Sequence, residues 1–219
     1  MQLAFYSDQI IPDNRKVDGA LRSMLPAGAK LGFVPSGDDA NKKWFEDRRR
    51  YYAEAGLRLV HSHDPSSLDQ RTLAELLSCD AIHLSGGNTV EFLHRLVQAQ
   101  LVEPLRKYAR EGGTLIGASA GAIMMTPTIA LDALFSDKDP IPADTREALS
   151  LVDFEFFPHF GNEQSYLPRL LKYSRSCARP ILACPDGCGV IVRGSELQLI
   201  GDGLTVRDGV AESWHTMKP

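Results

Sequence analysis

Five short apolar runs, four of them separated by longer amphipathic stretches, do most to limit what this chain can become. LAFYS (3–7), KLGFVPS (30–36), LRLVHS (57–62), AIHLS (81–85) and TLIGAS (114–119) have the length and composition of strands. Among the stretches between them, KKWFEDRRRYYAEAG, SSLDQRTLAELLS and TVEFLHRLVQAQLVEPLRKYAREGG carry helical spacing. In the last of these, Leu93, Leu96 and Val97 share one face, a break is expected near Pro104, and Gly112-Gly113 is a stop signal. Alternation of this kind predicts an α/β fold, a mostly parallel sheet flanked by helices. The second half is different: EFFPHF, PILACP, GVIVRG, LQLIGDG and LTVRDGVAESW lie close together with Gly-rich turns. They predict an antiparallel, hairpin-rich C-terminal extension on one edge of the sheet. The polar segment 132–151, with Pro140 and Pro142, reads as a loop containing a short helix. At 219 residues, one α/β domain over 1–219 is expected.

Composition removes several classes of function. A formal net charge of −4 gives no reason to expect nucleic acid as a partner. The run Arg48-Arg49-Arg50 follows Glu46 and Asp47 and reads as a solvated helix face. No apolar run is long enough to span a bilayer, so no membrane partner is expected. The N-terminus lacks the charged and apolar regions of a secretion signal. Four sparse cysteines, Cys79, Cys177, Cys184 and Cys188, fit no zinc or redox spacing and suit a reducing cytoplasm. His61 and His63 form an H-x-H pair, but no complementary ligand set stands out, so neither metal nor other cofactor is expected.

The chemistry concentrates where strands end, which is where open parallel sheets bind ligands. GASAG puts Ser119 between Gly117 and Gly121, the G-x-S-x-G pattern of a nucleophile on a tight strand-to-helix turn. Small residues that let a buried strand pack against a helix would look the same. LSGGNT ends the preceding strand; its Gly86 and Gly87 free backbone N–H groups to approach a ligand, and with the N–H of Ala120 could hold an oxyanion. Asn88 or Thr89 could equally be a helix N-cap there. A serine needs a base, and of six histidines His159, in FFPHFGNE, is the best placed. The base needs an acid: Asp186 in ACPDGCGV competes with Asp132, Asp153 and Glu163, and spacing alone does not rank them.

Taken in order, LSGGNTVEFL, GASAGAIMMTPTI, FPHF and PDGCGVIV resemble the aspartyl dipeptidase (dipeptidase E) family and the related cyanophycinases. The resemblance runs from the N-terminal strand to the PDGCGVIV hairpin. It implies a sandwich similar to class I glutamine amidotransferases, flavodoxin-like in its layering, with a serine nucleophile and a Ser–His–acid triad. Ser119 then matches the nucleophile, His159 the base and Asp186 the acid. The family's acid is usually Glu; Asp is one methylene shorter and would bring its turn closer to His159. An oxyanion hole from Gly87 and Ala120 is implied, with substrate contacts from Gly86, Asn88 and Thr89. Family members use an arginine downstream of the histidine to hold the substrate's side-chain carboxylate. Arg169 is the expected clamp, with Arg175 or an arginine near Arg48 left open.

The resulting expectation is a cytoplasmic serine exopeptidase that hydrolyses short peptides with an N-terminal aspartate through an acyl-enzyme. Two alternatives stand beside it: a cyanophycinase-like peptidase for β-Asp-Arg material, and a non-catalytic ligand-binding module. An α/β-hydrolase order of Ser119, Asp186 and His215 is less suitable, because no HGGG-type oxyanion loop precedes the serine. A homodimer is left open, since its interface would look like ordinary helix surface.

Overall fold

The computed structural model describes residues 1–10, 12–135, 141–142, 146–161 and 165–215, the last without its side chain. The apolar runs become strands β1 (Gln2–Tyr6), β2 (Lys30–Val34), β3 (Arg58–Ser62), β4 (Ala81–Leu84) and β5 (Thr114–Ala118). They lie side by side in the order β3-β2-β4-β5-β1, all parallel. β4 and β5 are buried along their whole length, as expected of strands covered on both faces. Helices α1 (Arg15–Arg22), α2 (Lys43–Glu54), α3 (Gln70–Leu77), α4 (Thr89–Gln98) and α5 (Val102–Arg110) connect them. One core layer packs Leu84, Phe92, Leu96 and Leu115; the other packs Ala4, Tyr6, Phe33 and Tyr52.

The long helical pattern divides earlier than Pro104. Gln100 adopts a left-handed φ of 54°, and the Leu101 amide reaches back to the Leu96 carbonyl, which ends α4 at Gln98. Pro104 instead falls in the first turn of α5, where its missing N–H has no helical acceptor to lose. Leu93 and Leu96 are buried as expected, but Val97 is 53% exposed and lies off the core-facing stripe.

The C-terminal hairpins are divided between two sheets. β8 (Gly189–Arg193) and β9 (Glu196–Ile200) extend the main sheet antiparallel beside β1. β6 (Glu155–Phe157), β7 (Ile181–Ala183), β10 (Asp202–Arg207) and β11 (Val210–His215) form a second, four-stranded sheet in the order β11-β10-β7-β6. The chain crosses from one sheet to the other at Gly201, where φ is +90° and a Cβ would stand 2.3 Å from Cys188 Sγ. Only glycine fits that corner. Helices α6 (Ala120–Met124) and α7 (Tyr166–Ser174) and a short 3-10 turn, Ala130–Leu134, also belong to the described structure.

Candidate active site

Ser119 is the residue between β5 and α6, and its backbone is strained: φ 52°, ψ −114°. A non-glycine residue there costs about 1–3 kcal/mol and persists only where its surroundings enforce it. Here they do. The Ser119 amide donates to the Tyr6 carbonyl of β1 at 3.0 Å, and its carbonyl accepts from Ala122 and Ile123. The flanking glycines have a steric purpose. A Cβ on Gly117 would sit 2.4 Å from the Gly121 carbonyl oxygen, and one on Gly121 only 2.0 Å from that of Leu84. α6 therefore leaves β5 pressed directly against the end of β4.

The loop after β4 stands beside the serine. A Cβ on Gly86 would lie 3.5 Å from Ser119 Cβ. Gly87 has φ +143° and faces Ser36, whose hydroxyl donates to the Gly86 carbonyl at 2.6 Å; Ser85 in turn accepts from the Ser36 amide at 2.7 Å. The loop is thus fixed by two serines from neighbouring strand ends. Among the described residues, the amides of Gly87 and Ala120 have no hydrogen-bond acceptor. Asn88 is the N-cap of α4, its Oδ1 accepting from the Glu91 amide at 2.9 Å, and Thr89 is buried at the first helical position.

The opposite wall comes from the smaller sheet. β6 and β7 are parallel and in register, Phe157 opposite Ala183, so the loops leaving them emerge together. His159 lies two residues past the end of β6 and Asp186 three past the end of β7. The Ser119 hydroxyl is 2.8 Å from His159 Nε2, and His159 Nδ1 is 2.8 Å from Asp186 Oδ1. With Asp186 accepting from Nδ1–H, a neutral imidazole presents the Nε2 lone pair to the serine proton. His159 itself is held at φ 56°. Its amide donates to Ser7 Oγ at 2.7 Å, and that hydroxyl reaches both the Cys184 carbonyl, at 2.8 Å, and Asp186 Oδ1, at 3.0 Å. Ser7, fully buried at the end of β1, ties the histidine loop, the acid loop and the main sheet together.

Of the other candidate acids, Asp153 pairs with Arg179 at 3.1 Å, Asp132 lies in the 3-10 turn, and Glu163 falls outside the described residues. Arg169, on α7, donates to the Leu134 carbonyl at 3.0 Å. His61 and His63 sit with ring centroids 5.5 Å apart near the end of β3, and no third potential ligand joins them among the described residues. Asp8, His159 and Asp186 do offer ligand atoms within 4.8 Å of one another, but both imidazole nitrogens are already engaged by Ser119 and Asp186.

A cavity of about 410 Å³ opens beside Ser119, lined by Asp8, Gln9, Ser36, Trp44, Arg48, His83, Gly86 and Gly87, among others. Several of these were not legible as site residues. The run of arginines was read as a solvated face, with an arginine near Arg48 left open as a clamp; Arg49 and Arg50 are on that face, paired with Glu46 and Asp47, while Arg48 turns inward to Gln9. Ser7, Asp8 and Gln9 follow β1, and a strand end was the one signal that could have pointed to them.

A strained serine at a strand-to-helix turn, in hydrogen-bonded line with a histidine and a carboxylate at the carboxyl edge of a mostly parallel sheet, defines an α/β hydrolytic enzyme. The profile of peptidase family S51 matches residues 6–200, and the chain belongs to that family of serine-type peptidases. Peptidase E of Streptomyces coelicolor is 29% identical over 197 residues, 85% of this chain and 78% of that protein. Peptidase E of Shewanella sp. strain ANA-3 is 30% identical over 65% of this chain and 60% of its own length. The fold is similar to that of a Listeria monocytogenes EGD-e crystal structure described as a candidate peptidase E. The TM-score is 0.71 at 22% identity, covering 90% of this chain and 96% of the other. A peptidase from an acI-B1 Actinobacterium gives the same TM-score at 15% identity, over 99% and 95% of the two chains. Among the described residues, no helix is long and apolar enough to cross a membrane.

Proposed function

We propose that this peptidase is a dipeptidase that removes an N-terminal aspartate from short peptides, with Ser119, His159 and Asp186 as nucleophile, base and orienting acid. The observation that carries the reading is the pair of 2.8 Å contacts joining the three side chains on a strained serine. His159 Nε2 takes the hydroxyl proton as Ser119 Oγ attacks the scissile carbonyl, and Asp186 stabilises the imidazolium that forms. The oxyanion is held by the amides of Gly87 and Ala120, which have no acceptor among the described residues. The imidazolium protonates the leaving amine, the C–N bond breaks, and an acyl-enzyme remains. Water, deprotonated by His159, then releases the aspartate and restores the serine. Gly86 and the exposed Asn88 form the rim that the substrate backbone passes, with Thr89 buried behind them.

Ser119→Ala tests the reading against an Asp-Leu substrate, with β-Asp-Arg as the competing one. Turnover should fall by on the order of 10⁴-fold or more, with the melting temperature preserved within a few degrees. Wild-type turnover in the variant would remove Ser119 from the mechanism. Preferential cleavage of β-Asp-Arg by the wild type would replace the substrate.

A further inference from the structure

The cavity beside Ser119 holds an arginine and a histidine that the proposed chemistry does not use. Arg48 comes inward from α2 and donates through Nη1 to both the carbonyl and Oε1 of Gln9, at 3.2 and 3.0 Å. That contact orients the chain of bonds behind it. With Oε1 taken by Arg48, Gln9 Nε2 donates to the Tyr52 hydroxyl at 3.0 Å. The Tyr52 proton is then directed to His83 Nδ1, 2.9 Å away. A neutral His83 must therefore carry its own proton on Nε2. Burial, and secondarily the charge of Arg48, depress the His83 pKa well below its ordinary value, which favours that neutral form. The side chain is fully buried and stacked on Phe33, it lines the cavity, and its Nε2 has no partner.

The lining thus includes a cation with no carboxylate partner among the described residues; His83, on the same lining, keeps an unpartnered Nε2 closed off from solvent. The cation calls for a charged acceptor. Asp8, on the same lining, brings the opposite charge and suits an ammonium group. Phe33, Pro35 and Trp44 complete the wall with apolar surface that would pack a short methylene chain. The volume suits about one amino-acid residue with part of its neighbour.

We infer that this cavity is the subsite for the substrate's N-terminal acidic residue, with Arg48 rather than Arg169 holding the side-chain carboxylate. The inference rests on the serine-peptidase reading and assigns its specificity. A lysine or arginine side chain would meet Arg48 and be repelled, and an asparagine would keep its hydrogen bonds but lose the charge.

Arg48→Gln should cut the preference for Asp-Leu over Asn-Leu, measured as a ratio of kcat/KM values, by about 100-fold. Arg48→Lys, which keeps the charge without the fork, should lose less, and its melting temperature controls for folding. A greater loss of preference in Arg169→Gln than in Arg48→Gln overturns the assignment. Binding separates this inference from the catalytic reading. Free L-aspartate titrated calorimetrically into Ser119→Ala should bind, and adding Arg48→Gln should weaken that binding by the same factor even if wild-type enzyme cleaves neither peptide. Unchanged aspartate affinity in the double variant, or no aspartate binding to Ser119→Ala, sinks the subsite.

Discussion

The two walls of the site are built on different physical terms. On one side, the Ser119 turn belongs to the main sheet and is fixed by backbone, the carbonyls of Leu84 and Gly121 occupying the places where side chains on Gly121 and Gly117 would be, while two serines hold the Gly86-Gly87 loop beside it. On the other, His159 and Asp186 hang on loops of a smaller sheet and are held by side-chain hydrogen bonds, several of them through one hydroxyl, Ser7. A backbone-packed wall should fail by losing stability, and a hydrogen-bonded wall by losing rate. That contrast can be broken by experiment.

The largest effect should come from the hydrogen-bonded wall. Asp186→Asn keeps the shape but presents an amide to His159, which no longer fixes Nδ1 as the donor. A fall in kcat of roughly 10³–10⁴ with little change in melting temperature is expected. Next comes the backbone wall. Gly121→Ala drives a methyl to within 2.0 Å of the Leu84 carbonyl, which cannot move without breaking β4 away from β5. A loss of about 3 kcal/mol or more is expected, read as a denaturant midpoint shift. If Gly121→Ala unfolds normally but is inactive, the distinction between the walls is wrong.

The same contrast explains what could be read from the letters. Strand–helix alternation placed all five parallel strands, because each buried strand must be apolar throughout and each covering helix apolar on one stripe. GASAG was legible for a steric reason, since its glycines record close backbone contacts. His159 and Asp186 were legible only as strand-end residues and through family likeness; what joins them is the parallel register of β6 and β7, a non-local pairing. Reading the three arginines as one solvated face failed for Arg48 because consecutive residues cannot share a face at 100° per residue: two reach solvent and the third turns inward, near where a clamp had been left open. The break expected near Pro104 falls just before it, between Gln98 and Val102, because a proline suits the first turn of the helix that follows. The division of the hairpins at Gly201 had no local signal, as I-G-D-G would suit a simple turn equally well.

Ser7 lies at the junction of the two walls, so its substitution should show both behaviours at reduced size. Ser7→Ala strands the His159 amide and removes a bond to Asp186. An unmet buried group costs about 1–3 kcal/mol, and for a chain of this size that is a drop of roughly 3–10 °C in melting temperature. The rate should fall as well, by about tenfold, because Asp186 keeps His159 but loses part of its own restraint. Ser7→Thr, which retains the hydroxyl in a crowded setting, should recover rate before it recovers stability. A variant that loses stability alone would make Ser7 a packing residue of the main sheet.

The smallest effect concerns pH and belongs to the backbone-packed wall. His83 is buried, and its pKa in the folded chain is well below the value it has when unfolded. Above about pH 6.5 both states are neutral and the residue contributes no pH dependence. As the pH falls below that value the unfolded chain takes up a proton that the folded chain resists, so stability declines, with a slope approaching 1.4 kcal/mol per pH unit (about 2.303RT). His83→Asn should flatten the decline between about pH 6.5 and 5 by up to that slope, as followed by urea midpoints at fixed ionic strength. A slope unchanged by the substitution would mean that His83 is hydrated in solution and that water enters the wall through the cavity.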